Sequence, residues 1–205
     1  MLDLDNTLWG GVIGDDGLAG IILGEGDPVG EAFLDIQRMA LRLRALGIIL
    51  AVSSKNEDAT ARLPFREHPD MMIRESDIAV FQANWSDKAT NLESIARALD
   101  ISVDALVLLD DNPVERAQVR AALPQVAVPE LPKDPALYSR TLLAAGYFET
   151  VSLSTEDLLR ADDYTSRAKR VELQGASRDL SSCGTRSRAI PWRKSGCVTG
   201  LAITA

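Results

Sequence analysis

Four short polar clusters in this chain each follow directly on an apolar run, and that repeated arrangement constrains the fold more than any other feature. They are Asp3-Leu4-Asp5-Asn6-Thr7, Ser53-Ser54-Lys55-Asn56, Trp85-Ser86-Asp87-Lys88 and Asp110-Asp111-Asn112-Pro113. Leu2-Asp3-Leu4-Asp5 reads as the end of a buried strand, and 48–52, 79–81 and 105–109 as three more, with a further short one at 126–128. Between them the spacing turns helical. From Pro28 to Leu46 the residues Phe33, Ile36, Met39, Ala40, Leu43 and Leu46 share one face, and Gly47 ends the run. Helices are also expected over 56–63 up to Pro64, from a Ser86 cap (with Asp87 in the first turn) through Leu99, and from 113 to 123. Two more follow at 135–145 and 155–174, the second opened by a capping box of Ser154 and Asp157. Strands alternating with helices predict an α/β domain with a doubly wound parallel sheet. The glycine-rich stretch 8–24 predicts a small hairpin or flap after the first strand.

In such a sheet the strands' carboxyl ends share one edge, so the four clusters converge there. Asp3 and Asp5 lie two apart, hence on one face of a regular strand, with Leu4 on the other. That set of groups suits phosphoryl transfer. Asp3 would attack phosphorus, and Asp5 would protonate the leaving oxygen and then activate water or another acceptor. Mg²⁺ would be held by Asp3, the Asp5 backbone carbonyl and Asp110, with Asp111 acting through a bound water. The Ser54 hydroxyl and Lys88 ammonium would hold the transferring oxygens. Thr7, Gly10, Gly11, Lys55 and Asn56 are candidate substrate-binding residues beside them. Trp9 is another, although Trp9 and Trp85 suit core packing as well as a pocket wall. Each cluster alone has a blander reading, as a turn, a helix cap or solvated surface. Their joint order, each after its own apolar run, is what favours chemistry.

Composition narrows the alternatives. With 205 residues, one α/β domain plus an appendage is expected. A net charge of −8 argues against a nucleic-acid binder. No stretch approaches the roughly 18 apolar residues of a membrane span, and no basic segment precedes an apolar one at the start, so a cytoplasmic protein is expected. The two cysteines, Cys183 and Cys197, lie near the end, and the one histidine, His68, reads as structural or loop surface. A zinc or His-based hydrolase is therefore disfavoured.

Both ends carry expectations of their own. Met1-Leu2 lead straight into Asp3, where about three further apolar residues would complete an ordinary strand, as in a truncated gene model or fragment. Residues 181–205 hold four basic and no acidic residues, without apolar period. A frameshifted reading or a disordered basic tail would both look like this. The expected organisation is a catalytic core over 1–150, a helical extension over 151–180 and an anomalous tail over 181–205.

The clusters resemble the four motifs of the haloacid dehalogenase superfamily. More narrowly, Leu2 to Gly14, Ser54-Lys55-Asn56, Trp85 to Lys88 and Asp110-Asp111-Asn112-Pro113-Val114-Glu115-Arg116 resemble the FkbH-like proteins within it. The resemblance implies the superfamily's Rossmann-like core and Mg²⁺ dependence. By it Asp3 is the nucleophile, Asp5 the acid/base, Ser54 and Lys88 the phosphate binders and Asp110 a metal ligand. It further implies action on a phosphorylated three-carbon substrate, 1,3-bisphosphoglycerate, with the glyceryl unit loaded onto an acyl carrier protein for polyketide biosynthesis. Arg160, Arg167, Lys169 and Arg170 could face such an acidic carrier, or form a solvated helix face. One departure matters: FkbH-like proteins often carry Cys immediately before Ser-Lys-Asn, where this chain has Ser53. That favours plain phosphate release over acyl transfer, with a truncated, non-catalytic remnant as the remaining alternative. Such proteins are also usually longer at both ends, so a catalytic module alone is expected.

Overall fold

The computed structural model describes residues 1–149 and 155–183. The chain divides into a unit Met1–Glu172, which holds everything discussed below, and a unit from Leu173, described as helical backbone to Cys183. The regular elements are α1 (Ile13–Asp16), α2 (Pro28–Ala45), β1 (Leu50–Ser54), α3 (Asp58–Glu67), β2 (Ile78–Ala83), α4 (Lys88–Leu99), α5 (Pro113–Ala122), α6 (Tyr138–Ala144) and α7 (Thr155–Cys183). No helix among the described residues is long and apolar enough to cross a membrane.

The sheet is parallel and its centre is the expected first strand. β1 pairs with β2 in parallel, from Leu50↔Ile78 to Ser54↔Ala83. On the other side of β1, Leu2 bridges Val52 and Leu109, and Val107 bridges Ala127, all in parallel. Leu2 N–H donates to Ala51 O (2.8 Å) and Asp3 N–H to Leu109 O (2.9 Å). The order is therefore β2, β1, the Leu2 segment, the Leu109 segment, the Ala127 segment. The chain runs outward to one edge, then returns to the centre and runs outward to the other. The strands expected at Leu2, 105–109 and 126–128 are thus present as single bridges, and only β1 and β2 form a regular ladder.

Alternation within the strands gives the sheet two apolar faces. Leu2, Leu50, Val52, Phe81 and Leu109 pack into the core that includes Phe33, Ile36 and Ala40 of α2. Ala51, Ala79 and Val80 face Ile95 and Leu99 of α4 and Ala168 of α7, while Leu106 and Leu108 meet Leu92 and Val119. This is the doubly wound α/β arrangement that the sequence predicts.

Several boundaries differ from expectation, each for a local reason. β1 starts at Leu50 rather than 48, because Ile48 N–H closes α2 by donating to Leu43 O at 3.0 Å. It runs on through Ser53 and Ser54, which belong to the strand and not to the loop beyond it. α3 continues past Pro64 to Glu67. The hydrogen bond lost at Pro64 is offset by burial of Phe65, whose ring meets Trp9 and Phe81 edge-on at 5.9 and 5.3 Å. The cap of α4 is Asp87, not Ser86: Asp87 accepts from Thr90 N–H at 2.9 Å, while Ser86 N–H donates to Asn84 Oδ1 at 2.9 Å. Residues 8–24 do form a flap, closed by paired Gly10 and Ile22 bonds of 2.9 and 2.8 Å and carrying α1 at its tip. α7 extends beyond residue 174. Ser154, half of the expected capping box, and 184–205, most of the expected tail, lie outside the described residues.

Candidate active site and metal centre

Asp3 and Asp110 each follow immediately on a bridged residue, Leu2 and Leu109, at the carboxyl ends of adjacent strand segments. This is the point where the chain's direction of travel across the sheet reverses, the usual ligand crevice of such sheets. Ser54 ends β1, and Lys88 is the first residue of α4. The four clusters therefore meet, as their order along the chain requires.

At the bottom lies Lys88, 3% exposed. Its ammonium bonds Asp110 Oδ2, Asp3 Oδ1 at 3.0 Å and Glu115 Oε2 at 2.8 Å. Burial works to lower the lysine's pKa, but the Asp3 and Asp110 carboxylates overcome it and hold the group charged. Glu115 also reaches Lys55 through Oε1, at 2.8 Å, so one carboxylate joins both lysines. Burial would raise the Glu115 pKa; Lys55 and Lys88 pull it below the ordinary value.

One oxygen from each of Asp3, Asp110 and Asp111 lies within 4.8 Å of the others. Burial pushes Asp3 up to about 7, with Asp110 adding to the shift and Lys88 opposing it. Burial and then Asp110 push Asp111 up to about 6. These carboxylates are under-neutralised, and an all-oxygen donor set of this kind suits a hard divalent cation. The Asp5 carboxylate lies outside this group; the expected Asp5 ligand is its backbone carbonyl. Its Oδ1 accepts from Trp9 Nε1 (3.0 Å) and Ile13 N–H (3.0 Å), and its Oδ2 from Asn56 Nδ2 (2.7 Å).

A cleft of about 300 Å³ opens above these groups, lined by Asp3, Asp5, Ser54, Lys55, Asp111 and Glu115 together with Asn6, Val12, Asn112 and Pro113. Its place and polarity match the chemistry. A larger cavity of about 390 Å³ lies under Met1 and Leu2, is lined mainly by apolar side chains and includes none of the catalytic clusters.

The structure places the other expected site residues as follows. Lys88 lies beneath the cleft rather than on its wall, bonded to carboxylates, and Lys55 is the lysine that lines the cleft. Trp9 is fully buried and holds Asp5; it is not a wall. Trp85 is 76% exposed and packs in no core. Thr7 is also fully buried, its hydroxyl accepting from Asp111 N–H at 3.2 Å. Gly10 and Gly11 serve the flap: a Cβ at Gly10 would meet Phe33 at 3.0 Å, and Gly11, with φ +91°, donates to Asn6 Oδ1 at 2.9 Å. Asn56 links Asp5 to Ser54 Oγ, the latter at 3.1 Å. Ser53 is fully buried, its hydroxyl has no hydrogen-bond partner among the described residues, and it does not line the cleft. His68 caps α3 and accepts from Asp70 N–H at 3.3 Å, a structural place.

Glu115 and Arg116 are the residues the reading by clusters passed over. Their signal was two charged residues in the first turn of the helix after Asp110-Asp111, 9% and 3% exposed in the fold.

Neither a scan against protein-family models nor a search of curated proteins found a match. Among solved structures, the chain is similar to the N-terminal part of the protein BF1531 from Bacteroides fragilis, a crystal structure containing a phosphatase domain complexed with Mg. The two share 50% identity at a TM-score of 0.72, over 74% of this chain and 40% of that one, so this chain spans less than half of that structure.

Proposed function

We propose that this chain is a Mg²⁺-dependent phosphatase working through an aspartyl-phosphate on Asp3. The observation that carries this is the convergence of Asp3, Asp110 and Asp111 within 4.8 Å, with Asp3 and Asp111 lining the cleft. Similarity to a Mg-complexed phosphatase domain supports it.

Asp3, Asp110 and Asp111 would hold the cation. When bound, Mg²⁺ would offset the repulsion between the Asp3 carboxylate and an anionic phosphate and polarise the phosphoryl oxygens. Lys88 orients Asp3 from below and favours its ionised form against the burial that raises its pKa. Ser54 and Lys55, on the cleft wall, meet the equatorial oxygens, where charge accumulates. An Asp3 oxygen forms a bond to phosphorus as the leaving-group oxygen departs with the proton from Asp5. Water then attacks phosphorus, giving its proton to Asp5, and the Asp3–phosphorus linkage breaks. Trp9, Ile13 and Asn56 fix the Asp5 carboxylate for both proton transfers.

The finer reading rests on the FkbH-like resemblance: 1,3-bisphosphoglycerate as substrate, an acyl carrier protein as acceptor, and a cytoplasmic polyketide pathway as setting. The burial of Ser53 away from the cleft speaks against an acyl ester there, and favours phosphate release. On α7, Arg167 pairs with Asp163 at 2.7 Å, Lys169 donates to Ser76 O at 2.6 Å and Arg170 to Ser166 O at 3.3 Å, so the basic face a carrier would use is engaged within the chain.

Mass spectrometry of phosphate, phosphoenzyme and acyl products from acetyl phosphate and 1,3-bisphosphoglycerate, with Mg²⁺ and an acyl carrier protein present, tests both levels. Mg²⁺-dependent phosphate release that disappears in Asp3→Asn is expected. Release that survives this substitution would overturn the Asp3 mechanism, and a glyceryl-carrier product would restore the transferase reading.

A further inference from the structure

The geometry points to Arg116 as the residue that positions the metal-binding carboxylates, through the backbone that carries them. This rests on the metal centre argued above.

Asp110 and Asp111 are consecutive, both negative, and both aimed at the same few ångströms as Asp3. Consecutive side chains on a regular strand point to opposite faces, so bringing both to one point requires the backbone to turn sharply between them. Mutual repulsion between the two carboxylates opposes that turn. Something must hold the turn against the repulsion. Arg116 is placed to do so: its Nη1 donates to Asp110 O at 2.8 Å and to Asp111 O at 2.6 Å, which pins two successive peptide planes. Nη2 donates to Glu130 Oε1 at 2.5 Å, and Glu130 is braced in turn by Arg120 at 2.6 Å. The Arg116 side chain is 3% exposed, so it is ordered by packing as well as by bonds. From the amide side, Thr7 Oγ1 accepts from Asp111 N–H at 3.2 Å, and Asp110 Oδ1 accepts from Asn112 N–H at 2.8 Å.

Arg116 and Lys88 divide the work. Lys88 bonds carboxylate oxygens directly, so its charge sits among the groups that would ligate the cation. Arg116 lies on the carbonyl side of the same residues. It offsets their negative charge and sets their direction without occupying a ligand oxygen. A planar fork is needed for this, since one cation must reach two carbonyls and a carboxylate together. Outer partners of this kind usually tune metal affinity, not merely stability.

The test is Mg²⁺ and Mn²⁺ titration calorimetry on the wild type, Arg116→Met, Arg116→Lys and Glu130→Gln, with thermal unfolding in EDTA as the folding control. Arg116→Met is expected to weaken metal binding by about 10- to 100-fold. Arg116→Lys should fall between it and the wild type, and Glu130→Gln should stay near the wild type. A folded Arg116→Met with wild-type affinity overturns the proposal. If that variant does not fold, wild-type affinity in Arg116→Lys overturns it instead, because the fork would then be dispensable. A wild type that binds neither ion would remove the metal centre itself, and this role with it.

Discussion

Lys88 Nζ lies 3.0 Å from Asp3 Oδ1, with the lysine side chain 2% exposed and two further carboxylates, Asp110 and Glu115, on the same ammonium. Lys88→Met would leave buried negative charge without compensation, which usually costs about 3–5 kcal/mol. Urea unfolding should show a loss of that order, together with loss of phosphate release. A loss below about 1 kcal/mol would mean that the carboxylates escape by protonation or rearrangement.

Asp3 itself is set for chemistry at the expense of the fold. Its pKa rises from 3.8 unfolded to about 7 folded, chiefly through burial. A carboxyl raised in this way stabilises the fold fully below the unfolded value and loses that contribution as pH climbs through the folded one. Asn imitates the neutral acid at every pH. In EDTA, the stability of Asp3→Asn relative to the wild type should therefore grow between pH 4 and 8, while activity vanishes. Paired melts across that range decide it; a flat difference would show that Asp3 is ionised in the fold without penalty.

Ser53 is the opposite case, a polar group without evident use. Its hydroxyl is fully buried and has no hydrogen-bond partner among the described residues. Ser53→Ala removes an unsatisfied group at little change in volume, and should raise stability by about 1 kcal/mol with phosphate release retained. Destabilisation of the same size would reveal a partner for the hydroxyl.

The convergence of the four clusters was legible because it depends only on strand order and on the rule that parallel strands deliver their ends to one edge. Asp3, Asp110 and Asp111 follow from that alone. What each neighbour does was not legible, since it depends on side-chain direction across distant segments. Trp9 could wall a pocket or fill a core, and only its contacts with Phe65 and Asp5 decide the matter. Glu115 sits five residues past Asp110 on a helix, and only the meeting of α4 with α5 brings it to Lys88. Local competition hid the boundaries: Asp87 and Ser86 are both good caps, and Asn84 takes the Ser86 amide.

Glu75 provides an acid-side test away from the active site. Hydrogen bonds from Arg66 and Arg62 hold its carboxyl down to about 2, with burial opposing them. A depressed carboxyl stabilises the fold above its unfolded pKa of 4.5 and loses that contribution as pH falls toward 2. Its side chain is 29% exposed, so the gain is screened to about 1 kcal/mol or less. Glu75→Gln should lower the urea midpoint at pH 7 and lower it clearly less at pH 3, where part of the contribution is already lost. An equal loss at both would point to packing instead, since Arg62 also lies over the Phe81 ring at 4.2 Å.

The bond from Trp9 Nε1 to Asp5 Oδ1, 3.0 Å long, ties the flap to the proposed proton donor. Trp9→Phe keeps an aromatic ring against Phe65 but removes that donor, leaving Ile13 N–H and Asn56 to orient the carboxylate. One hydrogen bond to a charged acceptor is worth about tenfold in rate, so kcat should fall by that order. KM should hold, because Trp9 is fully buried and does not line the cleft. Phe65→Leu is the matched control: it loosens the same aromatic contact and should lower the melting temperature while kcat stays near the wild type. If Trp9→Phe keeps full kcat, Asp5 is positioned without the indole and Trp9 serves packing alone.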